Sequence, residues 1–204
     1  AERYDLMGII DRWVISTLLR AHRDDMRLNR DLSFSVNLSA NSLNDPHLWA
    51  FVQNEMLISG IRPGRLQFEI TETALINNFG TAKEFVSAAR ATGAKVGLDD
   101  FGAGLSSFSY LKQFQVDCIK IDGAFIRHVD DNLVDRRIVE SINDIGHALG
   151  MATVAEFVET EAILNTVREI GIDMAQGYFL GKPMPLTEVF DRHLLAQARD
   201  AASG

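Results

Sequence analysis

The chain is 204 residues long, 47% hydrophobic and 24% charged, with a formal net charge of -8. That length accommodates one large domain with a substantial core, and the acidic balance argues against a general nucleic-acid binder, which needs clustered Lys and Arg to coat a phosphate backbone. The single cysteine, Cys118, sits in the apolar run "VDCIKID" and allows no disulfide framework. No run of about eighteen apolar residues and no basic-then-apolar leader occurs, so this segment is expected neither to span a membrane nor to carry an export signal, while a longer parent remains free to do both.

The opening "AERYDLMGIIDRWVI" predicts a helix with an apolar stripe of Ile10, Trp13, Val14 and Leu18. A strand follows over Ser33 to Leu38, then a helix over Trp49 to Ser59, a strand over Leu66 to Ile70 and a helix over Ala82 to Thr92. Strands are next expected over Lys95 to Asp99 and Cys118 to Ile121, and a helix over Leu133 to Leu149. The cycle ends with a strand over Ala152 to Glu156, a helix over Glu161 to Ile170 and a strand over Asp173 to Gln176. Gly60, Gly93, Gly150 and Gly171 fall at helix C-caps. Repeated strand and helix units without a long hairpin predict an α/β fold on a parallel sheet, doubly wound or closed into a barrel.

In such folds the reactive residues gather where strands end. The run "KVGLDDFGAG" ends a buried strand on two adjacent carboxylates, Asp99 and Asp100. Strand alternation points them to opposite sides, where they could bridge two metals or divide into a ligand and an orienter. A turn residue followed by a helix cap is the bland alternative. The other strand ends supply Asn37, Glu69 with Glu72, Lys120 with Asp122, Glu156 with Glu159, and Gln176 with Tyr178. Oxygen donors with almost no histidine suit Mg²⁺ or Mn²⁺ rather than zinc. "GAGLSS" lacks the last glycine of a dinucleotide loop, and "DFG" stands without the other kinase signatures.

The same segments carry a family resemblance. "SVNLSA", "FEITET", "DDFGAGLSSFSYL", "VDCIKID", "VAEFVET" and "AQGYFLGKPMP" occur in the order and spacing of the EAL domain, the bacterial cyclic di-GMP phosphodiesterase family, over nearly the whole chain. The resemblance implies a modified TIM (β/α)8 barrel whose first strand runs antiparallel to the others. It implies hydrolysis of cyclic di-GMP to linear pGpG with two Mg²⁺ or Mn²⁺ ions and frequent homodimers, while the single cysteine fits a reducing cytoplasm. Asn37, Glu69 and Asp99 match the first metal shell, and Asp99 with Asp100 the second, so that Asp99 bridges the ions. Lys120 matches a lysine held against the attacking water or the phosphate, and Glu156 a carboxylate that serves as general base or as a ligand through water. Gln176 matches a residue that positions this network, Pro183 a position beside the guanine, and Glu72 the brace of the loop from Phe101 to Tyr110.

The chain departs from the pattern in two places. No Glu-Ala-Leu sequence occurs in residues 1–204, because in the family it precedes Asn37 by more residues than this chain possesses. The expectation is therefore an EAL domain over residues 1–204 lacking its first strands and its namesake motif, with about six of the barrel's eight strands and unpaired edges. The intact parent is expected to hydrolyse cyclic di-GMP and this segment alone to be nearly inactive; the alternative is a receptor that binds cyclic di-GMP and signals to another domain. The partners implied are cyclic di-GMP, a second copy of the chain, and a diguanylate cyclase-like or sensor domain in the parent, with no polymeric nucleic acid and no membrane contact from this segment. The second departure is Phe157, where the family often has glycine. Its ring is expected to narrow the site or to pack behind Glu156.

Overall fold

The computed structural model describes residues 6–29, 31–103 and 108–203. Helix α1 (Met7–Ser16) runs through a π-helical turn (Thr17–Ala21) into α2 (Arg23–Leu28). Then come β1 (Phe34–Leu38), α3 (Ala40–Leu43), α4 (Leu48–Ser59), β2 (Leu66–Thr71), α5 (Glu72–Asn77), α6 (Phe79–Ala91) and β3 (Lys95–Phe101). The chain continues with β4 (Cys118–Ile121), α7 (Gly123–Ile126), α8 (Leu133–Ala148), β5 (Ala152–Ala155), α9 (Glu161–Ile170), β6 (Met174–Ala175) and α10 (Leu186–Ser203). The strands pair in chain order, every pairing is parallel, and the six form half a barrel with helices.

Alternation along each strand gives this sheet two chemically different faces. On β1, Phe34, Val36 and Leu38 are buried while Ser35 and Asn37 are exposed. The apolar face lies against the helices, where Trp49 of α4 and Phe85 of α6 meet Phe68 of β2 edge to face, with ring centroids 5.5 to 6.1 Å apart. The polar face carries Ser35, Gln67, Glu69 and Lys120. Side-chain caps start several of the helices that follow strands: Ser39, Thr71, Asp122 and Thr160 each accept a first-turn backbone N–H. All six expected strands are present, and the four glycines terminate helices with φ between 70° and 90°.

The first helix differs from its expectation. Its stripe of Ile10, Trp13 and Val14 faces outward, with Trp13 65% exposed, while Asp11 and Ile15 are buried. The polar residue decides the rotation. Asp11 Oδ2 accepts from Ser39 N at 2.8 Å, Ser39 Oγ at 2.7 Å and Ser42 Oγ at 2.6 Å, so its carboxylate is fully served only when turned toward α3. Arg20 in the π-helical turn likewise pairs with the buried Glu55. Trp13 and Val14 then border a groove along β1 with Leu32, Phe34 and Leu186.

Asp173, just before β6, holds the opposite end of the sheet together. Its Oδ2 accepts from Thr153 N at 2.7 Å and lies 2.9 Å from His147 Nε2. Burial pushes the Asp173 carboxyl up, but the Thr153 and His147 contacts outweigh it and leave the group below its ordinary value of 3.8. A carboxyl depressed by folding adds stability above its unfolded pKa and loses it as pH falls through the folded one. The gap in urea midpoint between the wild type and Asp173→Asn is therefore expected to be wide at about pH 7 and to shrink by about pH 3. Equal gaps at both values would contradict this account.

Candidate active site

The polar face converges on one lysine. Lys120 Nζ lies 2.8 Å from Glu69 Oε2, 2.7 Å from Asp99 Oδ1 and 2.9 Å from Glu156 Oε1. An ammonium has three N–H donors, and three strands or strand ends each supply one acceptor. The lysine side chain is 6% exposed, and those of Glu69 and Glu156 are 8% and 7% exposed. Burial by itself lowers the Lys120 pKa, but its bonds to Asp99, Glu69 and Glu156 reverse this and raise it above the ordinary lysine value.

Asp100 joins this group through a break in strand regularity. Leu98 pairs with Ile119 and Phe101 with Ile121, so Asp99 and Asp100 together stand opposite Lys120. This is a β-bulge, with Asp100 at φ 52°. Regular alternation would send the two carboxylates to opposite faces, but the extra residue turns both to the same side. Asp99, Asp100 and Glu156 each place a carboxylate oxygen within 4.8 Å of the others, a spacing that can hold a metal ion. Aspartate tolerates the left-handed region better than most residues. Burial and the charges of Asp99 and Asp122 push the Asp100 carboxyl up. Burial also raises Glu156, against the pull of Lys120, with Asp99 and Asp100 adding to the rise.

Gln176 Nε2 donates to Glu156 Oε1 at 2.7 Å. This approach depends on Gly177, where a Cβ would lie 2.2 Å from the Val158 carbonyl oxygen. Asn37 lies on β1 in register with Glu69 and on the same face of the strand as Ser35. Gln67, which sequence reasoning passed over, reaches from Ser35 Oγ at 3.4 Å to Glu69 Oε1 at 3.3 Å, and alternation with Glu69 was its available signal. Glu72 accepts from Tyr110 Oη at 2.6 Å and from Gly102 N at 3.1 Å. It thus ties both flanks of the expected loop, whose residues 104–107 lie outside the described residues. Pro183 lies in the wall of a cavity of about 720 Å³ that also contains Gln176, Phe157 and Tyr178.

Four carboxylates thus face one ammonium. The donor set is hard oxygen, which fits Mg²⁺ or Mn²⁺, and the uncompensated negative charge would repel an anionic substrate unless cations offset it. Cys118 does not enter this chemistry: it is buried, and burial with the nearby Glu69 charge pushes its thiol up to about 11.

Among relatives, the chain is 39% identical over 201 residues to the cyclic di-GMP phosphodiesterase PdeB of Shewanella oneidensis, covering 97% of this chain and 24% of that one. It is 34% identical to the cyclic di-GMP phosphodiesterase PdeF of Escherichia coli, covering 94% and 26%. The chain therefore spans about a quarter of the length of these curated relatives. Among solved structures, the PaMucR phosphodiesterase complexed with cyclic di-GMP superposes with a TM-score of 0.85 at 32% identity, covering 93% of this chain and 77% of that one. The FimX EAL domain of Xanthomonas citri, also bound to cyclic di-GMP, superposes with a TM-score of 0.86 at 28% identity, covering 91% and 74%. The family model described as "EAL domain" matches residues 1–183, and on that match the chain belongs to the EAL domain family.

Proposed function

We propose that this chain is the main part of a catalytic domain that hydrolyses cyclic di-GMP to linear pGpG, with Asn37, Glu69, Asp99 and Asp100 holding two Mg²⁺ or Mn²⁺ ions. The observation that carries the reading is the knot of Lys120 with Glu69, Asp99 and Glu156, with Asp100 brought alongside by the bulge. A divalent cation held there supplies Lewis-acid chemistry, lowering the pKa of a water and offsetting phosphodiester charge during in-line attack.

The chain's own residues divide the remaining work. Lys120 holds three mutually repelling carboxylates in one place and brings positive charge to the substrate phosphate. Both Lys120 and Gln176 contact Oε1 of Glu156, which leaves Oε2 as the oxygen to face the attacking water. Burial raises the Glu156 carboxyl toward the range in which it accepts a proton and later returns it, the work of a general base. Gln176 fixes the rotamer of that base, Pro183 borders the nucleobase, and Glu72 steadies the loop after β3. In this reading the protein acts in the cytoplasm, as a homodimer and within a larger signalling protein. No helix among the described residues is long and apolar enough to cross a membrane.

The test is a version of the chain extended upstream through the family's Glu-Ala-Leu sequence, incubated with cyclic di-GMP and followed by chromatography for pGpG. Turnover with Mg²⁺ or Mn²⁺, abolished by chelation, is the expected result, with negligible turnover by residues 1–204 alone. One other reading is a receptor that binds cyclic di-GMP and signals to another domain. Tight binding without turnover by the extended chain would select it.

A further inference from the structure

Phe157 is a bulky residue at φ 52°, a backbone conformation that ordinarily belongs to glycine. Its ring is seated against Gly123, where an added Cβ would lie 2.0 Å from a ring carbon in the present ring position. The Arg127 guanidinium is held over the same ring, 4.2 Å from its centroid. Gly123 opens α7 and Arg127 follows its last residue, so one short element supplies both contacts, with the guanidinium over one face of the ring. The ring is not enclosed. Phe157 is 42% exposed and forms part of the wall of the 720 Å³ cavity. Gln176 belongs to the same wall and bonds Glu156, so the cavity adjoins the acidic centre.

We propose that Phe157 is a base-stacking platform, whose open ring face receives one guanine of a cyclic dinucleotide while a phosphodiester lies at the acidic centre. The inference rests on the proposed function and adds to it a determinant of base specificity. A phenyl group serving only as filler would be buried, whereas this one keeps a face on the cavity at the cost of backbone strain. A guanidinium on the covered face draws on the ring's electrons and suits the open face to an electron-rich heteroaromatic partner. Stacking of this kind favours the larger purine over a pyrimidine.

The test is calorimetric binding of cyclic di-GMP and of cyclic di-UMP to the chain extended upstream through the family's Glu-Ala-Leu sequence, with Ca²⁺ in place of the ion expected to support turnover, and to its Phe157→Leu, Phe157→Gly and Phe157→Trp variants. Loss of the ring in the leucine and glycine variants is expected to weaken cyclic di-GMP binding about tenfold and cyclic di-UMP binding less. Phe157→Trp is expected to keep wild-type affinity and to show added fluorescence quenching on binding. Phe157→Gly relieves the backbone and should melt at or above the wild-type temperature, which separates lost stacking from lost folding. Unchanged cyclic di-GMP affinity in both the leucine and glycine variants overturns the platform and leaves the phosphodiesterase reading standing. Failure of the wild type itself to bind cyclic di-GMP overturns the underlying reading, and the platform with it.

Discussion

Lys120→Met is expected to destabilise the folded chain by about 3–5 kcal/mol in metal-free buffer, the usual cost of stranding buried charges by removing their partner. Three carboxylates share this one ammonium, and the side chains of two of them are less than a tenth exposed. Methionine preserves most of the stem's volume, so the loss is electrostatic rather than a cavity. For a domain of this size the melting temperature should fall by roughly 6–20 °C. Added Mg²⁺ should recover part of the fall, because a divalent cation among Asp99, Asp100 and Glu156 replaces the missing charge. The wild type, already compensated, should gain less from the same addition. Melting curves of both proteins with and without Mg²⁺ check this. A variant as stable as the wild type in metal-free buffer would mean that the carboxylates do not depend on Lys120. Folding raises the Lys120 pKa, so its contribution is complete below its unfolded value near 10.5 and fades as pH rises through the folded one.

The parts of this molecule that could be read from sequence are those where one periodicity governs. β4 runs over Cys118–Ile121 as expected because four consecutive buried residues leave one reading, and α9 matches at both ends because Thr160 caps it and Gly171 stops it. Apolar counting misplaces the rotation of α1 because it scores Asp11 as surface, while three hydrogen bonds to the turn after β1 draw it inward. The sequence shows Asp99 and Asp100 as a pair but not as neighbours on one side, since alternation assumes an unbroken ladder and a bulge is a property of two strands together. Their meeting with Glu156 across β4 follows from strand order, which no single segment encodes. Phe157 could be noticed as a departure from a glycine, but its positive φ and its seat on Gly123 depend on a helix more than thirty residues earlier in the chain.

Asp99→Asn is expected to lower the hydrolytic rate of the extended chain by at least about a thousandfold, equivalent to the several kcal/mol of charge stabilisation that metal assistance supplies. Asparagine keeps the shape and one oxygen of Asp99 but removes the charge that faces Lys120 at 2.7 Å and that stands beside Asp100 and Glu156. Two results should accompany the loss of rate. Mn²⁺ binding should weaken, because the residue proposed to serve both ions no longer carries a full negative charge. Metal-free stability should hold or rise, because Lys120 still has Glu69 and Glu156 as partners and Asp100 loses a repelling neighbour. That opposition separates a functional carboxylate from a structural one: a residue needed for folding would lose rate and melting temperature together. Retained turnover in Asp99→Asn at saturating Mn²⁺ would remove this residue from the centre of the chemistry, and with it the assignment of the bulge as the place where the phosphodiester is cleaved.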